Sequence, residues 1–312
     1  MSTATNISPL QSRLFGEFFD PVDMIGTFPA ETTVAEVNRR SAEHRLRFPL
    51  WTDSRCTLAE HFAVMDYAPA SARFGAIVDN VTGMNWELPD GRHVRVGERV
   101  IKSATGYDLQ RFLLHGDGRY GKATDYVLRL RPIGGETLNG RFTGNEGALE
   151  KVRQTLRASS WNHWIDSVNL IIQEVREPQI EVKVDCLPGE TRIFQKFFAE
   201  VAEKAGASFA LLTAAPEVFW PQFSLKCLPG QVAELALRCV DTMGGCARGL
   251  LINGAVLVSP GNVLDADLLG ELREIVEPHG GHPLGLASEL MPCPVESEKR
   301  WIKTLEDAWR NL

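Results

Sequence analysis

The chain has 312 residues, 44% of them apolar and 23% charged, with a formal net charge of −7. At about 150 residues per domain this length provides for about two domains with full cores. The acidic balance, with no run of Lys and Arg, excludes nucleic acid as a partner, because phosphate binding needs a basic surface. No apolar run reaches the ~18 residues of a membrane span. The polar Met1–Pro9 stretch lacks the apolar segment of a secretory signal, so the expected location is the cytoplasm, with membrane association only through partners. Cys56, Cys186, Cys227, Cys239, Cys246 and Cys293 form no CxxC pair and read as free, mostly buried thiols.

Along the chain, residues 1–30 read as an irregular lead-in, and Thr32-Thr33 then caps a helix from Val34 to His44 with Glu36 in its first turn. Arg45 to Trp51 is loop or short strand. Met84 to Leu88 and His93 to Val96 alternate about Pro89-Asp90-Gly91, which predicts a hairpin. Asp108 to Leu114 is a helical turn, and Ala123 to Leu130 is β-rich. Pro132 with Gly134-Gly135 then ends a first unit, so the division predicted is 1–133 and 134–312.

Beyond it the elements lengthen. Thr137 to Phe142 is a strand. Asn145 to Ala158 is an amphipathic helix with Leu149, Val152 and Leu156 on one stripe. Val168–Val175 and Gln179–Asp185 are two strands about Arg176-Glu177-Pro178, and Thr191 to Ala205 is a helix with Phe194, Phe197 and Phe198 on it. The order is then repeated: strand Gln222–Leu228, helix Pro229–Met243, strand Gly249–Val258, helix Val263–Glu277, strand His282–Ala287 and a terminal helix Val295–Leu312. The expectation is an α+β chain whose second unit holds two ferredoxin-like halves on one antiparallel sheet, with helices on one face.

The most informative stretch is Gly97 to Pro132. It resembles the signature of the p-cresol methylhydroxylase/vanillyl-alcohol oxidase (PCMH-type) flavoprotein superfamily, most nearly the FAD-binding subunits of glycolate oxidase and D-lactate dehydrogenase. Lys102, Thr105, Gly106, Tyr107, Asp108, Leu109, Gly116, Gly118, Gly121, Thr124 and Arg131-Pro132 fall in register with that pattern. His115, Arg119-Tyr120 and Lys122-Ala123 depart from it. Thr33 to Pro49, Thr57-Leu58 and the Arg73-Phe74-Gly75 to Asp79 segment continue the likeness upstream, although Ala59-Glu60 stands where the family has two glycines. The family's first glycine loop has no counterpart: about 30 residues precede the matching helix, too few for its βαβ unit. The resemblance thus implies a truncated FAD-binding domain followed by a ferredoxin-like cap domain. The surface left bare, partly covered by Leu14, Phe15, Phe18, Phe19 and Met24, is expected to seat another flavoprotein subunit.

What the resemblance implies about the site is FAD, held by Thr57, Gly75, Asp79, Lys102, Thr105, Gly106, Tyr107, Asp108, Gly116, Gly118, Arg119, Gly121 and Ala123. Glycine turns suit a pyrophosphate because backbone N–H groups converge where no Cβ intrudes, and Arg119 adds a cation. The Glu60 carboxylate works against phosphate. The activity implied is oxidation of a 2-hydroxy acid with flavin as hydride acceptor. A second reading is a non-catalytic paralogue that pairs with a catalytic flavoprotein; the missing loop and Ala59-Glu60 favour it. No catalytic residue is assigned. His279 and His282 lie three apart but lack a ligand set, His44, His61, His93 and His163 read as surface or capping residues, and no metal is expected.

Overall fold

A computed structural model describes residues 14–50, 55–99, 109–114, 120–174, 176–213, 220–276, 283–284 and 303. The first sheet has five strands: β1 (Phe19–Asp20), β2 (Ile25–Pro29), β4 (Val81–Glu87), β5 (His93–Gly97) and β6 (Lys122–Arg129), in the order β1-β2-β6-β4-β5. Helix α1 (Val34–Ala42) starts where the sequence places it, with the Thr33 hydroxyl accepting from the Glu36 amide. The β4–β5 hairpin pairs Met84 with Val96 and Glu87 with His93, as the alternation predicts. Shorter pieces complete this region: β3 (Leu46–Arg47) pairs with β7 (Arg131–Pro132), and α2 (Leu58–Val64), α3 (Ser71–Phe74) and α4 (Leu109–Leu114) pack around the sheet. Strands β1 and β2 arise inside the stretch read as irregular, because pairing with β6 imposes order on a segment with no strong pattern of its own.

The second sheet has eight strands, β8 (Glu136–Thr143), β9 (Ser167–Gln173), β10 (Arg176–Cys186), β11 (Ser208–Leu211), β12 (Phe223–Lys226), β13 (Cys246–Leu250), β14 (Ala255–Ser259) and β15 (Pro283–Leu284). Their order is β11-β8-β10-β9-β13-β14-β12-β15, and every pairing is antiparallel. With α5 (Glu146–Ala158), α6 (Thr191–Ala205), α7 (Val232–Met243) and α8 (Ala266–Val276), each half runs β-α-β-β-α-β. In each half the chain's first and third strands lie side by side in the middle, and the second strands, β9 and β13, meet to join the halves. Antiparallel contact of equivalent strands relates the two ferredoxin-like halves by an approximate two-fold axis. One apolar core holds all four helices against one face: Leu149, Phe198, Leu235 and Leu272 meet Val182 and Val256.

Two local expectations change. Gly249–Val258, read as one strand, is the hairpin β13–β14, because Asn253-Gly254 makes a turn in which Gly254 has φ 76°. That dipeptide is a hairpin signal in its own right. Arg176-Glu177-Pro178, read as a turn, opens strand β10 through a register shift between Arg176 and Gln179. Strand β11 had no separate signal. The terminal helix predicted at Val295–Leu312 lies outside the described residues apart from residue 303, which is helical.

The described part of the lead-in packs on the first sheet. Phe15 packs with Ile25 and Val127. The Asn85 side chain accepts from the Phe15 amide at 2.7 Å and donates to its carbonyl at 2.9 Å, as a neighbouring strand would. Arg99 lies 4.3 Å from the centre of the Phe18 ring.

Among the described residues no helix is long and apolar enough to cross a membrane. Among the described residues no cysteine forms a disulfide. Burial pushes the Cys239 thiol up to about 12 and the Cys227 thiol up to about 11. A thiol raised in the fold contributes stability that is complete below its unfolded value near 8.5 and is lost as pH rises toward the folded one. Denaturant unfolding between about pH 8.5 and 11 should therefore show falling stability, with a flatter slope in Cys239→Ala.

Candidate functional site

The two sheets meet along a seam, and most of the residues that matter sit on one side of it or the other. On the first side, Asp79 organises the turn that Gly75 opens. Its Oδ2 accepts from the Ala76 amide at 2.9 Å, and its Oδ1 accepts from Arg111 of α4 at 3.0 Å. Gly75 has φ 77°, and a Cβ there would stand 2.7 Å from Asp79 Oδ2. Gly97, at the end of β5, has φ 77° and packs against Gln110 of α4. The structure thus brings Gly75 and Asp79 to the foot of α4, the helix that follows the Lys102–Asp108 block. Lys102, Thr105, Gly106, Tyr107, Asp108, Gly116, Gly118 and Arg119 lie outside the described residues, as do His279 and His282.

Thr57, Gly121 and Ala123 are drawn into the fold itself. Thr57 is the N-cap of α2 in a reciprocal capping box. Its hydroxyl accepts from the Glu60 amide at 3.2 Å, and its amide donates to the Glu60 carboxylate at 2.7 Å. Gly121 has φ 111°, and a Cβ there would overlap the Glu87 carbonyl oxygen and come within 2.8 Å of Trp86 Nε1. Ala123 pairs with Trp86 across β6 and β4 and packs toward the first core. A pyrophosphate cradle needs unspent N–H donors and space in front of a glycine. Thr57 has spent its donor, and Gly75, Gly97 and Gly121 face protein atoms, so these described residues do not form a cradle. Thr57→Ala should accordingly cost about 1 kcal/mol of stability through the lost cap and leave flavin content unchanged. Denaturant midpoints and the visible absorbance of bound flavin check both halves.

On the other side of the seam, the helix-free face of the second sheet carries a charged floor. Arg141 of β8 and Glu181 of β10 are direct cross-strand partners, 3.0 Å apart from Nη2 to Oε1. Asn169 stands opposite Glu181 on β9, and Arg248 of β13 stands opposite Ile171 in the next row. Glu181, Asn169 and Arg248 are buried. Arg141, Arg248, Arg176, Glu181, Gln173 and Gln179 line a cavity of about 140 Å³. The same face continues under the first unit, where Leu250, Ala255 and Leu257 join the core of the five-stranded sheet. A further contact ties the units at that point: Asn253 Nδ2 donates to the Ser71 carbonyl at 3.1 Å.

The sequence reading assigned none of this floor. Its signal is the alternation Ile180-Glu181-Val182-Lys183-Val184-Asp185, in which the second face of an interior strand is charged throughout. His61, read as a surface or capping residue, is buried and lies edge-on to Trp220, 4.9 Å between ring centres. Its position on the inner face of α2, beside Leu58 and Phe62, accounts for that.

No family model matches the chain. It is 34% identical over 98 residues to the mitochondrial D-lactate dehydrogenase [cytochrome] of Arabidopsis thaliana, a match covering 31% of this chain and 17% of that protein. It is 32% identical over 62 residues to an FAD-linked oxidoreductase of Mycobacterium tuberculosis, covering 20% of this chain and 14% of that one. With glycolate oxidase subunit GlcD of Bacillus subtilis it shares 27% identity over 88 residues, 28% of this chain and 19% of GlcD. These matches span less than a fifth of each relative. In fold it matches alkyldihydroxyacetonephosphate synthase with a TM-score of 0.62 at 12% identity, over 95% of this chain and 63% of that one. Over the matched segments the chain is a sequence relative of FAD-linked oxidoreductases that include a D-lactate dehydrogenase and a glycolate oxidase subunit, and its α+β fold matches that of alkyldihydroxyacetonephosphate synthase.

Proposed function

We propose that the chain is a subunit of an FAD-dependent oxidoreductase of the glycolate oxidase type, acting on a 2-hydroxy acid. The observation that carries this is the guanidinium floor of Arg141, Arg176 and Arg248 around Glu181, on a sheet face that runs under the flavin-type unit. Guanidinium forks match the two oxygens of a carboxylate, and burial strengthens the pairing. Glu181 holds Arg141 in place, and Arg141, Arg176 and Arg248 together are assigned to orient the acid. When bound, FAD would supply the hydride acceptor, and the residues we assign to it are Lys102, Thr105, Gly106, Tyr107, Asp108, Gly116, Gly118 and Arg119, with Asp79 beside α4. In this reading residues 1–133 are the flavin-type part and 134–312 the cap. We assign the chain to a cytoplasmic complex with another flavoprotein subunit, a reading in line with the name of GlcD, which makes that relative a subunit.

The capping box at Thr57 supports a second reading, a non-catalytic paralogue that lends its fold to a catalytic partner. The two are separated by purifying the chain alone and with co-expressed neighbours. Bound flavin that bleaches anaerobically with glycolate or D-lactate supports the first; a flavin-free chain that raises a partner's activity supports the second. Under the first, Arg141→Gln should raise the KM for the acid about 10–100-fold, the worth of one charge-assisted hydrogen bond, with flavin content unchanged. An unaltered KM would remove the floor from the substrate site.

A further inference from the structure

The ribbon of β3 and β7 places two like charges opposite each other: Arg47 and Arg131 are direct cross-strand partners. Such a pairing destabilises a ladder unless something answers it. Both guanidinium groups lie against one ring, 5.7 Å and 5.9 Å from the centre of Phe74. Arg73 joins them, 5.3 Å from the same ring and 5.6 Å from that of Trp164.

Two of the three cations are answered from the second sheet. Arg47 pairs with Asp185 at 2.8 Å and with Asp166 at 3.5 Å. Arg73 pairs with Asp166 at 3.0 Å and donates to the Asp185 carbonyl at 3.1 Å. Among the described residues no carboxylate pairs with Arg131, and its Nε is buried without an acceptor. Burial, then the charges of Arg129 and Arg73, hold its pKa down to about 10. The three guanidinium groups outnumber the two carboxylates by one, and Lys183, within electrostatic reach of both carboxylates, adds a further cation. Trp164, against which Arg73 lies, is exposed.

We propose that Arg131, with Arg73 and Arg47 around Phe74, forms a binding site for a small oxyanion, a phosphate or a carboxylate, at the seam between the two units. The guanidinium fork is shaped for such a group, and an anion there would relieve the Arg47–Arg131 repulsion and add a tie across the seam. The site is separate from the floor at Glu181: Asp185 lies four residues farther along β10, about 13 Å at about 3.3 Å per residue. It does not depend on whether the chain holds FAD.

The test is thermal unfolding of the full chain in sodium phosphate, sodium acetate and sodium chloride at matched ionic strength. The melting temperature should rise by about 2–4 °C in phosphate over chloride. That rise should vanish in Arg131→Gln, which in chloride should be at least as stable as the parent. A rise in acetate as well would assign carboxylates, and a rise in phosphate alone would assign phosphate. No anion-specific rise in the parent, or the same rise in Arg131→Gln, overturns the site. Should Arg131→Gln not fold, calorimetric titration with inorganic phosphate compares the parent with Arg131→Lys. Losing the fork should weaken binding about tenfold, and equal affinity overturns the proposal.

Discussion

Asp166→Ala is expected to destabilise the chain by about 3–5 kcal/mol, because removing one partner of a buried ion network leaves the other charges unanswered. The Asp166 side chain is 1% exposed and bridges Arg73 and Arg47, so it joins the second sheet to both α3 and β3. Asp185 still holds Arg47 in the variant, which puts the cost toward the lower end, with Arg73 bearing most of the loss. The melting temperature should fall by roughly 6–20 °C, at about 2–4 °C for each kcal/mol. Burial pushes the Asp166 carboxyl above its ordinary value, and Arg47 and Arg73 draw it back only in part. A carboxyl raised in the fold contributes stability that is complete below its unfolded value near 3.9 and is lost as pH rises through the folded one. Asp166→Asn keeps the shape without the charge. It should cost less than alanine and flatten the stability profile just above the ordinary carboxylate range. Urea unfolding of both variants across that range provides the measurement. Equal stability of Asp166→Ala and the parent would mean that the seam is held by its apolar contacts alone.

Gly121→Ala is the other large effect, expected at about 3 kcal/mol or more, from a side chain forced into positive φ with its Cβ against backbone. The φ of 111° and the overlap with the Glu87 carbonyl act together, and the residue that must move belongs to the interior strand β4. The family resemblance gives this glycine a different task, close approach to a phosphate. The two tasks make different predictions. If Gly121 serves the β4–β6 junction, the variant loses near-ultraviolet circular dichroism and melts early whether or not flavin is present. A variant that melts with the parent yet has lost flavin would return the glycine to the phosphate. Trp86 supplies a local probe, since its indole donates to the Tyr120 carbonyl at 2.7 Å, one residue before the glycine.

The sequence by itself determined most of the regular structure. Period-two and period-3.6 patterns are local, so the β4–β5 hairpin, α1, α5, α6 and α7 could be read from residues that stand next to one another. The element order after Thr137 was enough to predict two ferredoxin-like halves, because that order admits few compact sheets. The register of Gly97 to Pro132 was enough to point to the flavoprotein superfamily. Tertiary structure decided what those patterns do not encode. The β13–β14 turn at Asn253-Gly254 was legible but sat inside an apolar run that hid it. The tasks of Thr57 and Gly121 were not legible, since a capping threonine and a phosphate threonine look alike until the Glu60 carboxylate is seen on the Thr57 amide. The floor of Arg141, Glu181 and Arg248 joins positions up to 107 residues apart (141 to 248), and the seam of Arg47, Arg73, Arg131, Asp166 and Asp185 spans 138 (47 to 185). Charged residues at such separations meet only when strand register and packing bring them together, and a strand's alternation says which face a charge is on without saying what that face will meet.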